Sequence, residues 1–222
     1  MTKAFNLDCM EAMRNMPDNA FDLAIVDPVY GDVTKGGYMI GKADHNGVKG
    51  TAYHLALWDQ EKTGLDYFRE LFRVSKNQVI WGGNYFTKEI GKNSQCWIVW
   101  DKDRLQDNYA DFEVAWTSFN RAARLFRYRW NGMLQQDMKN KEQRIHPTQK
   151  PVALYKWILT NFAQQGEKIL DTHLGSGSSR IAAYDLGFDF VGYEIDKTYF
   201  EQQEERFRKH TAQQNMFVDY GL

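Results

Sequence analysis

Short apolar runs alternate with amphipathic segments along most of the 222-residue chain. The runs FDLAIV (residues 21–26), QVIW (78–81) and CWIVW (96–100) have the length and the apolar character of buried parallel strands. Between the first two runs, residues 64–75 repeat apolar positions at the spacing of a helix. Strands that alternate with helices predict an α/β fold with a mostly parallel sheet.

The back of the chain has the pattern of a complete nucleotide-binding unit. Its elements are a helix over 151–165, a strand KILD (168–171), a tight turn at Gly175-Ser176-Gly177, a helix over 178–186, a strand FVGYEI (190–195) and a helix over 197–210 capped by Asp196. Such a unit usually comes first in a nucleotide-binding sheet. We therefore predict that the N-terminal AFNL (4–7) pairs beside its second strand, and that the fold is circularly permuted.

Two segments interrupt this alternation. Residues 31–50 contain six glycines and three lysines without a sustained period, so we expect a mobile loop over the functional site at residues 31–58. Within residues 101–145, FEVAWTSF and RLFRYRW have the alternating character of extended segments. We expect this middle part to be a small insertion in a single domain that comprises residues 1–222.

Charge is distributed unevenly along the chain. The net charge is −1, but residues 121–150 hold eight basic and two acidic side chains, which leaves +6 there and −7 in the remainder. Neutralised phosphates drive the affinity of proteins for nucleic acid, so this stretch predicts a phosphate-binding face. A solvated surface ribbon is the other interpretation. Besides Lys150, the basic residues of the stretch are Arg121, Arg124, Arg127, Arg129, Lys139, Lys141 and Arg144.

Composition argues against two other classes of protein. No apolar run approaches the roughly 18 residues of a membrane span, and the start MTKAFNLDCM lacks the apolar stretch of a signal peptide. Cys9 and Cys96 are isolated, without metal-ligand spacing around either, so we expect reduced thiols and no metal site. We therefore expect a cytosolic protein without a membrane partner.

Asp27-Pro28-Val29-Tyr30 follows the first predicted strand, where open α/β sheets place their ligands. These residues suit the activation of an exocyclic amine on a base, whose lone pair is delocalised into the ring. If the Asp27 carboxylate and the Pro28 carbonyl each accept one N–H, the lone pair is freed for in-line attack on a methyl group. The Tyr30 ring can stack on the base. Taken alone, four such residues are better explained as a plain turn.

Two further motifs suit a nucleotide-like ligand. HPTQKP (residues 146–151) enters a predicted helix, and its hydroxyl, its ammonium and the free N–H groups of a helix start all favour an anionic carboxylate. DTHLGSG (171–177) follows a strand and permits close backbone approach, while Glu194 at the end of the next strand can accept from ribose hydroxyls. The glycine turn by itself fits a nicotinamide or flavin nucleotide equally well.

The three motifs, in this order, resemble the β group of DNA amino-methyltransferases. The resemblance covers residues 6–31 and 146–200, and all six residues of HPTQKP agree with the family pattern. It implies the Rossmann-like methyltransferase fold, S-adenosylmethionine as cofactor, double-stranded DNA as partner, and neither a metal nor a covalent enzyme intermediate. It also allows a homodimer.

The resemblance implies roles at matching positions. The residues at the target base would be Asp27, Pro28 and Tyr30. Asp8 would lie near the cofactor adenine and Glu194 at its ribose, while the residues near its methionine part would be Thr148, Lys150, Asp171, His173, Gly175, Ser176 and Gly177. Residues 101–145 become the target-recognition insertion, and the basic residues within it become contacts to DNA.

The sequence departs from the family pattern at Val29, where a second proline is usual, and at Thr172-His173, where Pro-Phe is usual. We expect activity to survive the first change, because Asp27, Pro28 and Tyr30 remain, and His173 to pack as the usual ring does. Asp27 favours adenine N6, since the cytosine-N4 enzymes more often have serine there. The alternatives are a cytosine-N4 enzyme, an RNA or protein-amide methyltransferase, and a catalytically impaired relative that binds DNA.

Overall fold

The computed structural model describes residues 1–31, 62–104, 110–131 and 134–219. The loop predicted at residues 31–58 lies outside these ranges, apart from Gly31. Within the described ranges, no helix is both long enough and apolar enough to cross a membrane.

In these residues the chain forms ten strands and six helices. The strands are β1 (Thr2–Asn6), β2 (Phe21–Val26), β3 (Ser75–Trp81), β4 (Ile98–Asp101), β5 (Phe112–Thr117), β6 (Arg124–Arg127), β7 (Trp130–Asn131), β8 (Leu134–Gln135), β9 (Lys168–Asp171) and β10 (Asp189–Glu194). The helices are α1 (Cys9–Arg14), α2 (Leu65–Val74), α3 (Thr87–Ile90), α4 (Val152–Phe162), α5 (Ser178–Asp185) and α6 (Lys197–Asp219). A short 3-10 turn (Gly83–Tyr85) follows β3.

Eight strands form one sheet in the order β1-β10-β9-β2-β3-β5-β4-β6. Neighbouring strands are parallel except at β5, which is antiparallel to both β3 and β4. The α/β fold with a mostly parallel sheet is confirmed. The predicted place of the N-terminal strand is also confirmed, because Thr2–Asn6 lies parallel to Asp189–Glu194. The circular permutation, which is a relation between chains, stays a prediction.

Helices cover both faces of this sheet, and each face has its own apolar core. On one face, Leu154 of α4 belongs to the same buried cluster as Leu23 of β2. On the other, Phe68 and Leu71 of α2 belong to a cluster with Ala24, the next residue of β2. Successive residues of a strand point to opposite faces. A strand that is buried on both sides must therefore be apolar throughout, which explains the uninterrupted run FDLAIV.

The segment expected to be an insertion, residues 101–145, lies partly in the central sheet. β5 and β6 are strands of the central sheet, so FEVAWTSF and the start of RLFRYRW do not stand apart from it. The alternating polar pattern of β6 arises because it is an edge strand, on which Arg124, Leu125 and Arg127 are exposed. Outside the sheet lie the β7–β8 hairpin and residues 136–145. Their part in target recognition stays a prediction.

The core on the α2 face can be tested with two leucines of one helix. Leu71 is fully buried and Leu65 is 46% exposed. We expect Leu71→Ala to lower the free energy of unfolding by about 2–5 kcal/mol, because it leaves a cavity. Leu65→Ala should change it by less than about 0.5 kcal/mol. Urea denaturation measures both, and equal losses would contradict this packing.

Candidate active site

The ends of the parallel strands bring the predicted site residues to one edge of the sheet. Asp27 follows β2, while Asp171 ends β9 and Glu194 ends β10. β9 and β2 are neighbours in the sheet. From β9 the chain crosses to β10 on one side of this pair, and from β2 it crosses to β3 on the other side. This edge is therefore a topological switch point, where open α/β sheets bind their ligands. Asp8, beyond β1, accepts from the Met10 N–H at 2.7 Å and caps α1.

Asp27 is the centre of a hydrogen-bonded group. The Tyr30 hydroxyl donates to one of its carboxylate oxygens, and the Lys150 ammonium donates to the other. Pro28 is buried, and among the described residues no donor reaches its carbonyl. The turn after β2 thus presents a fixed carboxylate next to a carbonyl that can still accept a hydrogen bond.

Lys150 lies between two carboxylates. Its side chain is only 3% exposed, and its ammonium contacts Asp27 and also lies 3.3 Å from Glu113 Oε2. Burial by itself would lower the pKa of Lys150, but the two carboxylates outweigh it and raise the pKa above its ordinary value. Lys150 therefore stays charged inside the site. It does not belong to an exposed phosphate-binding face, although the charge count included it there.

The start of α4 differs from the anion site expected from HPTQKP. The Val152 N–H, one of the free donors of the helix start, is already bound by Glu142 Oε1 at 3.0 Å. A carboxylate of the protein thus takes the place at the helix N-terminus that a ligand anion would otherwise occupy. The exposed Thr148 hydroxyl lies 3.1 Å from His146 Nδ1. Thr148 is the predicted ligand residue of this loop that remains accessible.

Tyr30 has its ring packed against the residues that follow β3. It stacks on Tyr85, with ring centroids 5.0 Å apart and planes at 27°, and meets Phe86 edge-on. Gly82 makes this packing possible, because its φ is +64° and a Cβ there would lie 2.1 Å from the Tyr30 ring. Tyr85 is 46% exposed. A base that stacks on this face of Tyr30 must therefore displace Tyr85.

Asp171 is buried at the end of β9. Its carboxylate accepts from the Ser179 hydroxyl at 2.5 Å and from the His173 N–H at 3.0 Å. Burial raises the pKa of Asp171 to about 7, although these two hydrogen bonds oppose the rise. The His173 ring packs edge-on against Tyr67, with centroids 5.2 Å apart, and burial lowers the pKa of His173 to about 4. A neutral imidazole here packs as an aromatic ring.

The glycine turn is held to the end of β10 by Glu194. One Glu194 oxygen accepts from the Gly175 N–H at 2.8 Å, and the other accepts from the Asp196 N–H at 2.9 Å. Gly175 and Gly177 have φ values of +49° and +72°, which favour glycine. The carbonyl of Ser176 is fixed by Arg206 of α6 at 2.8 Å. Hydrogen bonds within the protein therefore fix the conformation of this turn.

His146 joins HPTQKP to this turn. Its ring is buried, meets Tyr199 edge-on with centroids 4.3 Å apart, and lies 3.6 Å from the position that a Cβ on Gly175 would take. Burial lowers the pKa of His146 to about 4. The two motifs of the back half therefore form one continuous surface, with a neutral histidine between them.

The predicted DNA contacts fall into two groups. Four of these basic residues already have partners in the protein: Arg127 binds Asp101 at 2.8 Å, Arg129 binds Asp103 at 2.5 Å, Arg121 donates to the Asn161 carbonyl at 2.7 Å, and Arg144 lies over the Trp130 ring. The side chains of the other three are exposed and form no ion pair within the described residues: Arg124, Lys139 and Lys141. The net positive face is therefore smaller than the charge count predicts.

Sequence reasoning missed two charged residues next to Lys150 and Asp27, namely Glu113 and Lys102. Lys102 Nζ lies 2.5 Å from Glu113 Oε1, and Glu113 also faces Lys150. Burial would raise the pKa of Glu113, but the two ammonium groups outweigh it and lower the pKa to about 2. The signal in the sequence is an acidic residue near the start of the apolar run FEVAW.

Comparison with known proteins gives consistent results. Residues 84–205 match a family model described as DNA methylase, of the N6/N4 type. The Type II methyltransferase M.HpaI of Haemophilus parainfluenzae is 24% identical over 237 residues, which cover 90% of this chain and 72% of that protein. Among solved structures, the M1.HpyAVI–SAM complex has a TM-score of 0.57 and 22% identity, covering 93% of this chain and all of that one. The cytosine-N4-specific PvuII DNA methyltransferase has a TM-score of 0.58 and 13% identity, covering 99% of this chain and 94% of that one.

The neutral state of His146 predicts a pH dependence of stability. Its pKa is about 6.5 in an unfolded chain and about 4 in the fold, so between these values only the unfolded chain takes up the proton. The fold therefore loses up to about 3 kcal/mol as the pH falls from 6.5 to 4. In His146→Asn this part of the acid loss should be absent. Urea denaturation between pH 7.5 and 4.5 tests it, and equal pH slopes in both proteins would contradict it.

Proposed function

Because the chain belongs to the N6/N4 family of DNA methylases, we propose that it transfers the methyl group of S-adenosylmethionine to N6 of an adenine flipped out of duplex DNA. The observation that carries the proposal is the turn after β2. There the Asp27 carboxylate is fixed by Tyr30 and Lys150 beside the Pro28 carbonyl. Two acceptors on one rigid turn are what an exocyclic amine with two N–H groups requires.

The turn would act on the nitrogen of the base. Asp27 and the Pro28 carbonyl each accept one N–H, which draws the nitrogen toward a tetrahedral shape and frees its lone pair. Bound S-adenosylmethionine would supply a methyl group on a positively charged sulfur, and the new N–C bond would form as the C–S bond breaks and its electron pair goes to sulfur. The nitrogen becomes positively charged in this step. The negative charge of Asp27 stabilises it until its proton passes to the carboxylate or to water.

The cofactor would lie along the edge formed by β10, β9 and HPTQKP. Gly175 and Gly177 have positive φ values, and a Cβ on them would meet His146 and Gln203, so the turn is tight. The backbone of this turn, with Ser176, would lie close to the ligand. Glu194 and Asp8 lie at the strand ends where ribose and adenine would be bound. Asp171, with a pKa of about 7, would become ionised beside an amino group of the ligand. Thr148 offers a hydroxyl to the ligand carboxylate, and His173 packs beside it.

The target base would take the place of Tyr85 on the Tyr30 ring. The two tyrosines are 5.0 Å apart, whereas a base between two rings needs about 7 Å, twice the usual stacking distance. Tyr85 is half exposed on a short turn and can move without disturbing a core. Stacking contributes about 1–3 kcal/mol per base, which offsets part of the energy of flipping.

Adenine rather than cytosine is supported by Asp27 itself, because cytosine-N4 members of the group more often have serine at this position. Transfer to cytosine N4 is the second candidate, since the PvuII enzyme shares the fold. Labelled S-adenosylmethionine, incubated with the protein and unmethylated duplex DNA of mixed sequence, separates them. We expect N6-methyladenine after hydrolysis of the DNA. Labelled N4-methylcytosine, or label in RNA or protein alone, would refute the adenine assignment.

Asp27 should be essential for transfer and dispensable for cofactor binding. We expect Asp27→Asn to lower the single-turnover rate at least about 100-fold, the range of a positioned acid or base, because an amide cannot balance the charge that develops on the base. The dissociation constant for S-adenosylmethionine should stay within about twofold. The matched control is Asp22→Asn, near the start of the same strand, where Asp22 pairs with Lys76. Wild-type rates in Asp27→Asn would refute the assigned chemistry.

The DNA contacts can be tested with two arginines of β6. Arg124 is exposed without an ion pair in the described part of the chain, whereas Arg127 is bound to Asp101. We expect Arg124→Ala to reduce the slope of log K for DNA against log salt by about 1, as the loss of one phosphate contact does. Arg127→Ala should reduce it less, because Asp101 already neutralises that charge. Equal slopes for wild type and Arg124→Ala would remove Arg124 from the DNA face.

A further inference from the structure

Four charged side chains form a continuous row at the active-site edge of the sheet. In order they are Asp27, Lys150, Glu113 and Lys102, and each contacts the next: Lys150 with Asp27, Glu113 with Lys150 at 3.3 Å, and Lys102 with Glu113 at 2.5 Å. With two negative and two positive side chains, the row has a net charge of zero. Only the first residue belongs to the turn after β2, and the family resemblance gives no role to Glu113 or Lys102.

The sheet brings Glu113 to this edge because β5 runs in reverse. The first residues of an antiparallel strand lie at the edge where its parallel neighbours end. Glu113 is opposite Trp100 near the end of β4, and Lys102 follows that strand. A single reversed strand thus places a carboxylate among the polar ends of the parallel strands.

We propose that Glu113 is a positioning residue for methyl transfer: it shares the charge of the Lys150 ammonium with Asp27 and so preserves part of the negative charge of Asp27 for the target amine. The inference rests on the proposed function. It extends that function by naming the residue that controls the negative charge of the Asp27 carboxylate. Glu113 acts through Lys150 and need not touch the substrate.

The physical reason is the division of one positive charge between two carboxylates. Lys150 is nearly inaccessible to water, so its interactions with both carboxylates are only weakly screened. With Asp27 as its only partner, the ammonium would neutralise the carboxylate that has to accept an N–H and stabilise a developing cation. A second carboxylate at 3.3 Å takes part of that interaction. Lys102 has the opposite effect, because it competes with Lys150 for Glu113.

This competition predicts effects of opposite sign. In Glu113→Gln, Asp27 is the one carboxylate left in contact with Lys150 among the described residues, and we expect the single-turnover rate to fall about 10- to 100-fold. In Lys102→Gln, Glu113 draws Lys150 more strongly, and we expect the rate to rise about two- to fivefold. Glu113→Asp, which keeps the charge on a shorter side chain, should recover part of the loss. Lys76→Gln, in an exposed pair at the start of β3, is the control and should leave the rate unchanged.

The test uses the full-length protein, duplex DNA and saturating S-adenosylmethionine in single-turnover reactions. Calorimetric binding of S-adenosylmethionine and thermal unfolding are measured on every variant. Support requires a lower rate in Glu113→Gln with cofactor affinity within about twofold of wild type, together with a higher rate in Lys102→Gln. A purely structural row would lower the rate and the unfolding temperature in both variants, and that result overturns the inference.

Three other outcomes also decide the matter. If Glu113→Gln weakens cofactor binding in proportion to its rate, Lys150 and Glu113 serve the cofactor, and the inference is overturned. If wild-type protein yields N6-methyladenine and Glu113→Gln transfers at the wild-type rate, the inference fails and the proposed function stands. If the wild-type protein yields no N6-methyladenine, the proposed function fails, and this inference, which rests on it, fails as well.

Discussion

The Lys150 ammonium is almost completely removed from water, and it requires negative charge in contact with it. Asp27 supplies that charge from a turn that lies 123 positions earlier in the chain. Removing a carboxylate from such a buried ammonium destabilises a protein, because the desolvated charge loses negative charge in contact with it, and without Asp27 the carboxylate left to Lys150 in the described residues would be Glu113. The pair therefore fixes HPTQKP against the turn after β2. The Asp27 acceptor and HPTQKP take their relative positions from this constraint.

Local rules were sufficient for much of the fold. FDLAIV is a strand because it is buried on both faces, Asp196 caps α6 by accepting from the Thr198 N–H, and the N-terminal strand lies beside β10 as the order of elements predicts. The positions of Asp27, Asp171 and Glu194 at one edge follow directly from parallel strands. Boundaries were less accurate: α4 ends at Phe162, where Ala163 turns to extended backbone, and not at residue 165.

The remaining features depend on contacts between distant segments, which no local pattern contains. Charge counting included Lys150 in a phosphate-binding face, because a lysine has the same formal charge in solvent as between two carboxylates. Glu113 was missed because the direction of β5 is set by its neighbours in the sheet. Tyr85 was missed because its ring meets Tyr30 only where Gly82 lets the two turns approach. All three lie at the candidate site, where side chains from distant segments of the chain meet.

The most direct measurement is a crystal structure of the protein with duplex DNA and an unreactive analogue of S-adenosylmethionine. The account predicts a flipped adenine on the Tyr30 ring, with Tyr85 displaced. Its N6 should lie within about 3.2 Å of both an Asp27 carboxylate oxygen and the Pro28 carbonyl, while Lys150 keeps its contact with Glu113. A target base whose amine contacts neither the Asp27 carboxylate nor the Pro28 carbonyl would contradict it.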